Sequence, residues 1–240
     1  MSNSEKKVWL ITGGSRGIGK AIADLAQAAG NRVAVLARTP ADEDTSERLN
    51  IAADVADEQQ LTAAVEQVIN TWGRIDVVVN NAGLHRGGKA AKLDLSAWEA
   101  VLGTNLTGAL KVIRAADPHL KAGSCIINIG AVVGFRGFPG DSAYASSKAG
   151  LAGLTRALSI EMASRSVRVN LVIPGLVLTE MTQGVSDKAM ESMRKMIPLG
   201  RLGMAEEIAE VVVAVAGASY MTGAFIPVDG GLMSTFGLPG

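Results

Sequence analysis

Cysteine is almost missing from this chain. Cys125 is the only one, so no disulfide can close within the chain, and its place in an apolar run reads as a buried, inert thiol in a reducing compartment. There is no excess of either charge. The 23 Lys and Arg offset 23 Asp and Glu, which leaves no field to draw nucleic acid or an anionic membrane, so partners must be recognised at local sites. No Pro/Ser-rich linker, charge block, low-complexity tract or internal repeat interrupts the 240 residues. No long apolar run follows the polar stretch Met1–Lys7, because the first one breaks at Thr12-Gly13-Gly14, too early for a signal or membrane segment. These absences predict a soluble, cytoplasmic protein with one domain spanning 1–240, and no metal site is expected.

What is present is an alternation. Short apolar, β-branched runs at Val8–Thr12, Arg32–Ala37, Ile51–Val55, Asp76–Asn80, Cys125–Ile129, Val167–Ile173 and Ala224–Val228 predict strands. Helical patterns lie between them, at about 17–29, 58–72, 96–116, 143–164 and 206–216. Such βαβ alternation predicts an α/β, Rossmann-type doubly wound sandwich around a seven-stranded parallel sheet, covered on both faces. One crossover, Thr39–Asn50, is polar, carries Pro40 and lacks apolar periodicity, so a loop is expected there instead of a helix. In this architecture ligands collect beyond the carboxyl ends of the strands. Every motif below falls there or on the helix that follows.

After the first strand comes Thr12-Gly13-Gly14-Ser15-Arg16-Gly17-Ile18-Gly19, followed at once by an apolar helix. Glycines let the backbone approach a pyrophosphate whose charge the helix start stabilises; the bland alternative is a tight turn. The second strand ends in Ala37-Arg38-Thr39, where an NAD-using fold ordinarily places an acidic residue for the ribose hydroxyls. Arg38 with Arg16 would instead suit the 2′-phosphate of NADP(H), unless both are simply solvated surface arginines.

Tyr144 and Lys148 are four apart on a predicted helix and so share one face. A phenol can protonate a developing alkoxide in carbonyl reduction, provided a nearby ammonium lowers its pKa from about 10. Outside the context of the glycine loop, a half-exposed tyrosine and a surface lysine would explain the pair equally well.

Together with Asn80-Asn81-Ala82-Gly83, Asn105 in Thr-Asn-Leu-Thr-Gly, Pro174-Gly175 and Val228-Asp229-Gly230-Gly231, these motifs resemble the short-chain dehydrogenase/reductase family over essentially the whole chain. The likeness is greatest to bacterial 3-oxoacyl-acyl-carrier-protein reductases. The resemblance implies that Tyr144 is the general acid/base and that Lys148 binds the nicotinamide ribose and lowers the tyrosine pKa. It also implies that Asn105 holds a water in a proton relay. Asp54 and Val55 would lie near the adenine, Asn81, Ala82 and Gly83 would line the cofactor cleft, and Pro174, Gly175, Val177 and Thr179 would embrace the nicotinamide. Each has a blander alternative: Asn81 and Asn105 as turn or cap residues, Asp54 as a helix cap, Thr179 as a surface hydroxyl. Asp229 reads as part of a structural turn.

One position departs from the family. Thirteen residues before Tyr144 the family carries a substrate-orienting serine, and here Ala131 stands in that substrate-binding position. A methyl cannot donate, so turnover should fall by about 10²–10³ while cofactor affinity survives. The intact motifs favour a Ser-to-Ala variant of an active reductase over a natural enzyme that dispenses with the hydroxyl. Met181, Met190, Met193 and Met196 suggest an apolar substrate lid at about 180–198, or a packed helix or subunit contact. The Ala-, Leu- and Val-rich helices at 96–116 and 143–164 suggest pairing into a homotetramer. The expected function is NADPH-dependent reduction of a ketone, with a 3-oxoacyl thioester as the resemblance-based candidate. The alternatives are a cofactor-binding scaffold or sensor, or a non-redox isomerase or dehydratase.

Overall fold

The structure is a computed structural model that describes residues 6–40, 43–178 and 187–235. Seven parallel strands form one sheet in the order β3-β2-β1-β4-β5-β6-β7. In chain order they are β1 (Val8–Thr12), β2 (Arg32–Ala37), β3 (Arg48–Ala52), β4 (Ile75–Asn80), β5 (Leu120–Ile129), β6 (Arg168–Pro174) and β7 (Phe225–Val228). The helices are α1 (Gly17–Ala28), α2 (Glu58–Trp72), α3 (Leu95–Leu102), α4 (Gly108–Ala116), α5 (Val133–Arg136), α6 (Ser142–Glu161), α7 (Asp187–Met196) and α8 (Ala205–Gly217). This is the doubly wound α/β architecture. The strand order reverses direction between β1 and β4, which opens a crevice at their carboxyl ends.

Side chains alternate between the faces of a strand, and both faces are dry here, which is why the strands read as continuous apolar runs. Trp9, Ile11, Val33, Val35, Val77 and Val79 pack on Ile22 and Ala26 of α1 and on Ile208 and Val212 of α8. Leu10, Ala34, Leu36, Val78 and Ile126 pack on Leu61, Val65 and Val68 of α2 and on Val112 and Ile113 of α4. Each of these larger side chains stabilises the fold by about 1.5–3 kcal/mol through burial.

Several elements differ from the sequence reading, among them β5, which begins at Leu120 and not Cys125, and the short α5, which was not expected. The third strand begins at Arg48, not Ile51, because the guanidinium is buried against the Asp24 carboxylate at 2.8 Å and does not end the strand. It closes at Ala52, so Asp54 and Val55 lie in the turn beyond it. The helix expected at 96–116 is divided. A π-turn at Gly103–Thr107 separates α3 from α4, and the Gly108 N–H reaches back to the Gly103 carbonyl. Glycine is required at 108, since a Cβ there would stand 2.8 Å from Val55 Cγ2. Finally, α7 occupies part of the expected lid. The described residues of 39–50 form no helix, as expected.

Candidate functional site

The glycine loop is built by close approach. Gly13 and Gly17 have φ of +65° and +53°, and a Cβ on Gly13 would lie 2.8 Å from Ala82 Cα. A Cβ on Gly19 would collide with the Gly13 carbonyl and the Asn81 amide. A polar staple holds the loop against the end of β4. The Thr12 hydroxyl accepts from Asn81 N–H (3.1 Å) and Ala82 N–H (3.0 Å), and Asn81 Nδ2 donates to the carbonyls of Thr12 (3.1 Å) and Gly13 (3.0 Å). Asn81 is therefore a loop-tying residue. Thr12 was not singled out from sequence, although a polar residue ending a buried strand was the available signal.

The helix α1 starts directly after Ser15 and Arg16, and the Arg16 side chain makes no cap hydrogen bond to its amino end. This cradle of loop and helix start fits a dinucleotide pyrophosphate, which needs bare backbone donors and no Cβ. Arg16, Arg38 and Thr39 are exposed at the same end of the sheet, and no acidic residue follows Ala37. Asp54 accepts from Ala56 N–H at 2.9 Å in a local turn, whereas the cap of α2 is Asp57. Val55 is buried against Gly108. Pro174 ends β6, and Gly175 lies so near Asp229 that a Cβ would come within 2.6 Å of its Cα. Val177 is buried and paired with Gly203. Asp229 accepts from the N–H groups of Gly231 (2.9 Å) and Met233 (2.6 Å), the structural turn expected of it. Thr179 and Met181 lie outside the described residues.

The helix α6 brings Tyr144 and Lys148 to the crevice. A buried amide chain anchors it: Asn80 Nδ2 donates to Asn128 Oδ1 (2.8 Å), and Asn128 Nδ2 donates to Thr155 Oγ1 (2.9 Å), linking β4, β5 and α6. Gly134 of α5 presses against the Lys148 backbone, where a Cβ would fall 2.8 Å from Ala149 N. Lys148 is 4% exposed and donates to the Ile129 carbonyl at 2.8 Å, with Nζ 5.6 Å from the centre of the Tyr144 ring. A Cβ on Gly83 would stand 3.8 Å from both Lys148 Nζ and Asn105 Oδ1, so β4 and α6 meet here.

The electrostatics differ from the expectation. Burial, reinforced by the Asp141 carboxylate, pushes the Tyr144 phenol up to about 12, and burial pulls the Lys148 ammonium down to about 8. Loss of hydration outweighs any help from the ammonium, which is directed at a carbonyl.

Asn105 sits in the π-turn with its amide fully engaged. It accepts from Leu84 N–H (2.7 Å) and donates to the Leu84 carbonyl (2.9 Å) and to Ser147 Oγ (3.0 Å). Its side chain thus ties Leu84 to Ser147. Ser147 donates in turn to the Tyr144 carbonyl at 2.7 Å. Ala131 lies two residues beyond the end of β5 and presents only a methyl.

Two further neighbours of Tyr144 went unnoticed in the sequence. The ring of His85 lies edge-on to it, with centroids 5.1 Å apart and planes at 84°, and His85 Nε2 is 2.8 Å from Asp141 Oδ1. They are far apart in the chain, and only the meeting of two loops reveals them.

Comparison with known proteins agrees with this geometry. Residues 13–233 match a family described as enoyl-(acyl carrier protein) reductase. The chain is 38% identical to the 3-oxoacyl-[acyl-carrier-protein] reductase FabG of Thermotoga maritima, over 95% of this chain and 98% of that one. It is also 38% identical to the human 3-oxoacyl-[acyl-carrier-protein] reductase, over 94% and 98%. Among solved structures, a short-chain dehydrogenase/reductase from Brucella melitensis superposes with a TM-score of 0.90 at 30% identity, covering 95% of this chain and 97% of that one. A variant short-chain dehydrogenase/reductase from Serratia marcescens does so with 0.88 at 35%, covering 95% and 98%. With its glycine cradle at the switch point and its tyrosine and lysine one turn apart on α6, the chain belongs to the short-chain dehydrogenase/reductase family of oxidoreductases.

Proposed function

We propose that the protein is an NADPH-dependent reductase of ketones, with 3-oxoacyl thioesters as the leading substrate class. The observation that carries this reading is the convergence of Tyr144, Lys148 and the glycine cradle on one crevice. Gly13, Ser15, Gly17, Ile18 and Gly19 would hold the pyrophosphate, Arg16, Arg38 and Thr39 the 2′-phosphate, and Lys148 the nicotinamide ribose. Asp54 and Val55 would border the adenine, and Pro174, Gly175, Val177 and Thr179 the nicotinamide. When bound, the coenzyme supplies a hydride to the carbonyl carbon.

The carbonyl π pair then moves to oxygen, and Tyr144 gives that oxygen its proton, leaving a phenolate. A phenol with a pKa of about 12 is fully protonated at neutral pH, which suits the acid role in reduction. Asn105, whose amide is engaged, would hold a relay water through its main chain in the π-turn, a distortion common at functional sites. The segment at 180–198 would cover the substrate. The protein would work as a cytoplasmic homotetramer of one-domain subunits; no helix among the described residues is long and apolar enough to cross a membrane.

Ala131 favours a second reading, a cofactor-binding scaffold or sensor with little turnover. NADPH oxidation with a ketone panel separates the two. Measurable turnover is expected, raised in Ala131→Ser and lost by about 10²–10⁴ in Tyr144→Phe. NADPH binding without oxidation by any form would leave the scaffold. Product formed without NADPH consumption would mark a non-redox enzyme.

A further inference from the structure

We propose that Arg136 is a positioning residue for the reaction: it fastens the turn that backs the nicotinamide clasp to the helix that carries Tyr144 and Lys148. The inference rests on the reductase reading above, in which Pro174 and Gly175 border the nicotinamide.

One end of this tie is α5. The helix has only four residues, Val133–Arg136, and a single turn of helix does not hold itself together in water. Its neighbours hold it. Just before it, the Val132 N–H donates to the Pro174 carbonyl at 3.1 Å. In its middle, Gly134 lies so close to α6 that a Cβ would stand 2.8 Å from Ala149 N and 2.9 Å from the Lys148 carbonyl carbon. At its last residue, Arg136 Nη1 donates to the Leu232 carbonyl and, at 2.9 Å, to Thr235 Oγ1. Among the described residues these two are the only hydrogen bonds that join α5 to the chain at 229–235.

The other end is the turn closed by Asp229. The Leu232 N–H donates to the Asp229 carbonyl at 3.2 Å, and the Leu232 side chain is buried in a core shared with Val132, Leu151 of α6 and Ile173 of β6. Gly175 rests on this turn: its N–H donates to the Val228 carbonyl at 3.0 Å, and no Cβ would fit between it and Asp229. The end of the expected substrate cover rests there too, since the Leu199 N–H donates to the Gly230 carbonyl at 3.1 Å and a Cβ on Gly231 would stand 2.9 Å from Pro198 Cγ. Clasp, cover and catalytic helix therefore meet at one turn, and Arg136 joins that turn to α5. Where such a clasp is formed in only a fraction of molecules, apparent coenzyme affinity falls by that fraction, and a reacting pair held out of line reacts more slowly.

The test compares, by calorimetry, NADPH with adenosine 2′,5′-bisphosphate, which keeps the 2′-phosphate and lacks the nicotinamide, and measures kcat for reduction of acetoacetyl-coenzyme A. Arg136→Met keeps the apolar stem and removes the donors. It is expected to weaken NADPH about tenfold and to lower kcat about tenfold, while the bisphosphate binds within about twofold of native. Arg136→Lys, which keeps a charged donor, should recover part of both losses. Thr235→Val removes one of the two bonds and should show the same pattern at smaller amplitude, so the proposal stays testable even where Arg136→Met folds poorly. Equal weakening of both ligands would mean that Arg136 merely supports the fold, and it overturns the proposal, as do undiminished NADPH affinity and kcat. A native chain that binds neither ligand overturns the coenzyme site; one that, together with Ala131→Ser, binds NADPH but never oxidises it overturns the reductase reading. This inference falls with either.

Discussion

Lys148 and Tyr144 lie one turn apart on α6, and the buried ammonium that stands 5.6 Å from the centre of the phenol ring donates to the Ile129 carbonyl at 2.8 Å. Burial therefore moves their pKa values in opposite directions, to about 8 for the lysine and about 12 for the tyrosine. Across the alkaline range the phenol keeps its proton while the ammonium loses its charge. Reduction is expected to decline as pH rises through about 8, in the free-enzyme profile of kcat/KM, without loss of the acid. A profile flat from pH 7 to about 10 would show that the Lys148 charge has no part in the reaction.

Stability should follow the same two groups with opposite signs. For Lys148 the folded pKa lies below the ordinary 10.5, so between about 8 and 10.5 the unfolded chain holds more protons, and its contribution to stability rises with pH. For Tyr144 the folded pKa lies above the ordinary 10.0; its contribution is complete below 10 and is lost as pH rises through about 12. Urea unfolding at pH 7.5 and 9.5 spans the lysine, together with an opposing contribution from the buried Cys125 thiol, which burial pushes up. Lys148→Met should reduce the rise between those two values.

The cradle gives a prediction about binding. In Gly19→Ala the new methyl collides with the Gly13 carbonyl and the Asn81 amide, and neither can withdraw without breaking the staple to β4. Coenzyme affinity should fall at least about tenfold, while overpacking costs the fold about 1–3 kcal/mol. Calorimetry and thermal unfolding report the two separately. Undiminished affinity would place the pyrophosphate elsewhere.

Arg38 carries the choice of coenzyme in the proposed function. Removing a charge-assisted contact to phosphate costs about 1.5–3 kcal/mol, so Arg38→Ala should weaken NADPH by about tenfold to a hundredfold and leave NADH unchanged. Equal weakening of both coenzymes would mean that the guanidinium does not read the 2′-phosphate.

Much of this was legible in the chain because sheet and cradle obey local rules. The β-branched runs of β1, β2, β4 and β6 must be buried on both faces, and glycines 13 and 17 stand where only positive φ will serve. The start of β3 was hidden because Arg48 looks polar until Asp24, from another helix, is set against it. The π-turn at Gly103 was hidden because it answers to the packing of Gly108 on Val55. Likewise, His85 and Asp141 are 56 residues apart, and no local pattern joins them. The sign of the Tyr144 shift follows from burial and from Asp141, which the Tyr–Lys spacing alone does not reveal.

Asn105 offers a test of how the π-turn and the catalytic helix are joined. Its side chain is 2% exposed and bridges Leu84, beyond β4, to Ser147, which in turn holds the Tyr144 carbonyl. Asn105→Ala removes an acceptor and a donor at once, leaving the part-buried Leu84 N–H and carbonyl without these partners. An unsatisfied buried group costs about 1–3 kcal/mol, so the urea midpoint should drop markedly with the slope unchanged. Asn105→Asp keeps the acceptor for Leu84 N–H but sets a carboxylate against the Leu84 carbonyl, and it should be at least as unstable. If Asn105→Ala instead unfolds like the native chain yet loses turnover, the amide serves the reaction directly rather than through these contacts.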